Sequence, residues 1–175
     1  MTVRVVSLLP SATEIVYALG AQDRLVGVTF ECDEPAAARR DHQVLVSGRD
    51  TSMMDVAAID AYVRAELAAG RDLYTLDEGA MAALAPDVIL TQDLCRVCAV
   101  PTGQVDAALA HLQCRAEVVT LDPMTLDELL DGIRAVGGAL DVPGAADEVV
   151  AGLRRRLAAV DSAVAGRTRR RTAVV

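Results

Sequence analysis

Cysteines are the residues of this chain whose spacing most directly suggests chemistry. Cys95 and Cys98 stand two residues apart in the stretch Gln92-Asp-Leu-Cys-Arg-Val-Cys98, and the chain has four cysteines in all. A C-x-x-C loop can hold a soft metal or cycle between dithiol and disulfide. Cys32 falls in another loop expected on the same edge of the fold, so three thiols could converge, with Asp33 or Asp93 as an oxygen ligand. Zinc would be the ion. Against this stands the reading of ordinary buried or unreacted thiols. A zinc site usually shows a second ligand pair at set spacing, and neither Cys114 nor the isolated His42 and His111 supplies one.

Other chemistries leave no trace. There is no G-x-S-x-G elbow, no Walker-type loop, no H-E-x-x-H and no G-x-G-x-x-G after the first strand. Gly137-Gly138 falls within a helical pattern and suits close packing better than phosphate. Nothing pairs two carboxylates as acid and base, so the chain does not read as an enzyme. The net charge of −8 and four aromatic residues (Tyr17, Phe30, Tyr62 and Tyr74) are the wrong balance for a nucleic-acid binder. The basic run of Arg167 and Arg169 to Arg171 reads as a solvated linker. No apolar run approaches the roughly 18 residues of a membrane span. Met-Thr-Val-Arg enters a strand at once without a leader pattern, which sets the expectation of a cytoplasmic chain with reduced thiols.

The elements that must position these residues follow from periodicity. Val3 to Leu9 is a short apolar run, expected as a strand buried on both faces. Pro10 is expected to stop it, and Ser11-Ala-Thr-Glu14 has the spacing of a capping box. Ile15, Val16 and Leu19 then give a helix an apolar face up to Gly20, before a second strand at Leu25 to Val28. This β-α-β unit needs a parallel sheet and a right-handed crossover. Further strands are expected at Val44 to Val46, Asp87 to Thr91 and Glu117 to Leu121, with Leu73 to Leu76 ambiguous. Helices are expected with Met54, Val56, Ile59, Val63 and Leu67 on one face, from Asp77 to before Pro86, and over Gln104 to Leu112. Thr125-Leu-Asp-Glu128 repeats the capping spacing and opens the best amphipathic stripe, Leu126 to Leu140. A long helix should cover Gly144 to Gly166. The alternation predicts a three-layer α/β/α, Rossmann-like lobe with a mostly parallel sheet. Its carboxyl-end loops gather Pro10 to Thr13, Thr29 to Asp33, Ser47 to Asp50, Thr91 to Cys98 and Thr120 to Asp122 on one edge, where open α/β sheets bind ligands.

The opening RVVSLLPSATEIVYALGAQDRLVGVTFECDEP, then LAPDVILTQ, then the long helix running into a new strand resembles the periplasmic-binding-protein-like family of cobalamin and iron–siderophore receptors. The likeness is greatest to its cobalamin-binding branch, and it covers residues 3 to 175. It implies an N-terminal lobe over residues 1–143, a spanning helix and linker over 144–168, and over 169–175 the first strand of a second lobe. It implies a small-molecule ligand, a corrinoid such as cobalamin or another metal chelate, and a partner ABC permease. Members usually sit outside the membrane behind a signal peptide or lipid anchor. With the edge above, the resemblance suggests Ser11, Thr13, Phe30, Glu31, Cys32, Gln92 and Asp93 as ligand contacts. Two other readings stay open: a metal or thiol-redox protein using Cys32, Cys95 and Cys98, and a homo-oligomer associating through its sheet edge and long helix.

Overall fold

The computed structural model describes residues 2–92, 103, 110, 115–168 and 171. Six strands among the described residues form one sheet: β1 (Val5–Ser7), β2 (Leu25–Thr29), β3 (Gln43–Gly48), β4 (Tyr74–Leu76), β5 (Val88–Thr91) and β6 (Glu117–Thr120). Their spatial order is β4-β3-β2-β1-β5-β6. All pairings are parallel except β3 with β4, which is antiparallel. From β1 the chain builds outward through β2, β3 and β4, then returns to lay β5 against the other side of β1. The order therefore reverses between β1 and β5, and this reversal is what opens a crevice at the carboxyl edge.

Among the described residues, six α-helices flank the sheet: α1 (Pro10–Ala18), α2 (Ala37–Asp41), α3 (Val56–Ala68), α4 (Glu78–Leu84), α5 (Leu126–Ala139) and α6 (Pro143–Val164). Successive residues of β1 and β5 feed opposite faces, as the pleat requires. Val5, Val28, Val88 and Leu90 pack with α1, α5 and α6. Val6, Leu45, Val46 and Ile89 pack with Met81 and Leu84 of α4. Both faces of the central strands are dry, so their sequences read as continuous apolar runs. The three-layer α/β/α class is the expected one.

Local outcomes differ in instructive ways. The strand expected from Val3 to Leu9 is three residues long, and Pro10 opens α1 rather than closing a strand. Leu9 is the N-cap, at φ −150° and ψ 145°, with no side-chain cap bond. A residue before proline is held extended, which is the conformation an N-cap needs, and proline fits the first helical position because it lacks an N–H to satisfy. Ser11 is thus inside the helix and does not cap it. The second box does form: Thr125 Oγ1 accepts from Glu128 N at 3.2 Å, and the Glu128 carboxylate accepts from Thr125 N at 3.0 Å. Asp55 and Asp77 cap α3 and α4 in the same manner. Ala85 ends α4 at φ 43°, because Pro86 bars the residue before it from continuing the helix.

The apolar stripe expected on α3 does not face the core: Val56 is 83% exposed, and no residue of α3 is buried. The long helix α6 buries Ala146 and Val150 near its start, whereas Leu157, Val160 and Val164 are exposed. Among the described residues, no helix is long and apolar enough to cross a membrane. All but residue 110 of the expected helix Gln104 to Leu112, the pair Cys95 and Cys98, Asp93, Cys114, His111 and the terminal strand Thr172 to Val175 lie outside the described residues.

Candidate functional site

The carboxyl edge carries two distinct groups of side chains. One surrounds a cleft of about 880 Å³ beside the β1/β5 reversal. Ser11, Glu14, Ile15 and Ala18 of α1 form one wall, and Glu128, Leu129, Asp131 and Gly132 of α5 form the other. Gln92 after β5, the segment Thr120 to Pro123 at the end of β6, and Val149 and Leu153 of α6 also line it. The volume is within the range of pockets that hold drug-sized ligands, roughly 300–1,000 Å³. Its lining is mostly aliphatic, and its polar members are Ser11, Gln92, Thr120 and the carboxylates of Glu14, Asp122, Glu128 and Asp131. Because Pro10 occupies the first position of α1, Ser11 points an uncommitted hydroxyl from the first turn, where the backbone amides carry partial positive charge.

Phe30, Glu31 and Tyr74 make the second group, beyond the ends of β2 and β3. Phe30 and Tyr74 stack at a tilt, with ring centroids 6.1 Å apart. Phe30 lies directly over Gly48, where a Cβ would come within 2.8 Å of its ring. Arg39 Nη1 donates to the Phe30 carbonyl at 2.8 Å, fixing the loop after β2. Tyr74 Oη donates to Glu31 Oε1 at 3.2 Å. Burial pushes the Glu31 carboxyl above its ordinary value, the Tyr74 bond pulls it back, and the Asp33 charge pushes it up again. Nearby, the Arg49 guanidinium sits 4.7 Å above the Tyr62 ring.

Thr13 and Cys32 belong to neither group. Both are wholly buried, and Cys32 is part of the main core. Thr13 Oγ1 donates to Ser7 Oγ at 2.9 Å, and Ser7 Oγ donates to the Leu9 carbonyl at 3.0 Å. The thiol of Cys32 lies 3.0 Å from Thr13 Oγ1. With the Thr13 proton already committed, the thiol is the donor, and the three side chains form one satisfied internal chain. Burial pushes the Cys32 thiol up, against the thiolate that metal binding or redox exchange needs. The expectation that Thr13 and Cys32 meet a ligand therefore departs from where the structure puts them, while Cys95 and Cys98, the thiols expected beside Cys32, lie outside the described residues. The small buried side chain at position 32 belongs to the core beneath the loop. Among the described residues, no three His, Cys, Asp or Glu side chains gather as a metal site.

Of the expected contacts, Ser11 and Gln92 come together on the cleft, and Phe30 and Glu31 come together on the second group. Sequence reasoning missed Tyr74, whose strand was ambiguous, and the carboxylates Glu14, Asp122, Glu128 and Asp131 around the cleft. For Asp122 and Glu128 the sequence offered the acidic residues flanking Pro123, whereas Glu14 and Glu128 read there only as members of capping boxes.

The chain can be set beside known proteins on this geometry. No curated protein is significantly similar to it in sequence. Many solved structures share its fold. The periplasmic vitamin B12-binding protein BtuF of Vibrio cholerae superposes with a TM-score of 0.65 at 24% identity, over 93% of this chain and 51% of that one. A possible iron-binding periplasmic solute-binding protein from Staphylococcus epidermidis gives 0.68 at 21%, over 95% and 53%. The periplasmic heme-binding protein BhuT, in complex with two hemes, gives 0.65 at 23%, over 96% and 52%. The chain thus spans about half the length of these structures. The family model for periplasmic binding proteins matches residues 5–175, and the chain belongs to that family.

Proposed function

We propose that the chain is the N-terminal lobe of a non-catalytic solute-binding protein that takes a corrinoid-like or other metal-chelate ligand on the carboxyl edge of its sheet and serves ABC-type uptake. The observation that carries this reading is the cleft beside the β1/β5 reversal: aliphatic inside, flanked by two helix N-terminal turns, and large enough to seat part of a macrocycle. Membership of the family supports a solute as the ligand. Its structural neighbours are binders of vitamin B12, iron and heme, which suggests the chelate class. Helix α6 would lead into a second lobe beginning near Thr172 to Val175, and the two lobes would enclose the ligand. One lobe alone leaves half the ligand in water, so its affinity should be well below that of a two-lobed cleft.

Visible-absorbance titration tests the proposal. Cyanocobalamin, hemin and a ferric hydroxamate are each added to the chain, with a Leu129→Trp, Ala18→Leu variant that fills the cleft as control. A saturable spectral change for at least one ligand, lost in the filled variant, is the expected result. Saturation by none of the three, in this chain and in a two-lobed protein carrying it, would overturn it.

A further inference from the structure

Helix α2 is too short to stand alone, since its five residues give little more than one turn of hydrogen bonds. Three tethers hold it. Ala38 is buried in the main core. Arg39 Nη1 donates to the Phe30 carbonyl at 2.8 Å, which binds the helix to the loop carrying Phe30 and Glu31 on the carboxyl edge. At the other end His42, the C-cap, has its Nε2 3.3 Å from the Tyr17 hydroxyl of α1, and the two rings meet edge to face with centroids 6.5 Å apart. The groups acting on this pair are Asp41 and Arg40 of α2, which bond each other at 2.7 Å, and the Leu25 backbone of β2. Burial holds the His42 pKa below its ordinary value, against the opposing pull of the Asp41 charge and the Leu25 bond. With its hydrogen on Nδ1, a neutral ring accepts the Tyr17 proton at Nε2. A protonated ring carries hydrogens on both nitrogens and cannot accept it.

We propose that the Tyr17–His42 contact is a pH-operated clasp: closed while the imidazole is neutral, it loosens in mild acid and frees α2 and, through Arg39, the loop carrying Phe30 and Glu31. The sign follows from linkage. A released ring takes up a proton more readily than the half-buried one, so protons favour the open clasp. Its stability is fully present above the ordinary histidine value and is lost as pH falls from there through the folded value. The response stays local, because Ala38 is the one buried side chain that α2 contributes to the core. Under the functional reading above, acid would loosen the Phe30 and Glu31 contacts. The clasp itself does not depend on that reading.

Histidine NMR and amide hydrogen exchange test the clasp with no ligand present. His42 and His111 are the two histidines of the chain, so either His42→Gln or His111→Gln assigns their signals. His42 should titrate below 6.5, the ordinary value. Protection factors of the amides from Ala38 to Asp41 should fall by about threefold or more between about pH 7.5 and 5.5, and the Phe30 ring signals should move with the same midpoint. Tyr17→Phe removes the clasp bond and should lower that protection already at the higher pH. His42→Gln cannot take a charge, so its protection should stay flat with pH. Glu31→Gln should keep the pH dependence, which separates His42 from the carboxyl that titrates on the same loop. Circular dichroism checks the folding of each variant, and the histidine titration needs only the unmodified ring. Protection of α2 that ignores pH in the unmodified chain, a His42 titrating at or above 6.5, a pH dependence that survives His42→Gln, or a loosened α2 with Phe30 unmoved would each overturn the clasp. None of these results touches the chelate-binding reading, which stands or falls on its own titrations.

Discussion

Glu31 and Cys32 are neighbours in the chain, yet one faces the edge and the other the core, and this divides their chemistry. Glu31 is a half-buried carboxyl with a raised pKa, so the folded state holds its proton more tightly than the unfolded chain does. The stability this contributes is fully present below the unfolded value and is lost as pH rises through the folded one. Tyr74→Phe removes the donor that favours the charged form, so it should raise the Glu31 pKa further and extend that window upward. A carboxyl-detected NMR titration reads the change directly, and an unchanged or lowered pKa would contradict it. Cys32, sealed against Thr13, should resist iodoacetamide in the native protein and react once it is unfolded, as mass mapping of its peptide would show. Thr13→Val strands the Cys32 thiol without an acceptor and removes the donor to Ser7, and should cost about 1–2 kcal/mol in a denaturant melt. The sequence marked position 32 as a loop at the correct edge. It could not show which way the side chain turns, because that depends on Thr13 and Ser7 meeting it from other elements.

Adjacent glycines on α5 give the element-scale counterpart. A Cβ on Gly137 would collide with the Cβ of Ala146 on α6, whereas nothing lies within 4 Å of one placed on Gly138. Gly137→Ala should therefore destabilise the protein by about 1–3 kcal/mol through overpacking of the α5/α6 contact. Gly138→Ala should stabilise it by up to about 1 kcal/mol, since alanine costs a helix less backbone entropy. Thermal melts of the two variants check the pair, and equal effects would mean the helices are not in close contact at this point. The sequence suggested close packing for this pair, and the structure assigns that role to one member. Capping teaches the same lesson. Ser11-x-x-Glu14 and Thr125-x-x-Glu128 have one spacing and two outcomes, because Pro10 at the first helical position moves the N-cap two residues back, to Leu9, while nothing displaces Thr125. Element type and order were legible from local pattern. The antiparallel β4, and with it the Phe30–Tyr74 contact, was not, because three residues carry too little period to read and their partner is set by the sheet.

At the scale of the molecule, the two ends of α6 meet different surroundings. Ala146 and Val150 are locked into the core against α5, but Leu157, Val160 and Val164, on the expected apolar face, are 39%, 59% and 51% exposed. Helix propensity alone seldom holds such a segment, and most helical stability in proteins comes from packing one face. The helix should therefore open from its C-terminal end, in steps too small to require global unfolding. Native-state hydrogen exchange would show amides from Val149 to Leu153 protected close to the global limit, and those beyond Leu157 exchanging orders of magnitude faster. If the helix leads into a second lobe, as proposed, joining that lobe should bury the exposed face and slow the second group to the rate of the first. Uniform protection in the isolated chain would mean that helix α6 is held by contacts other than those between α5 and its first three turns.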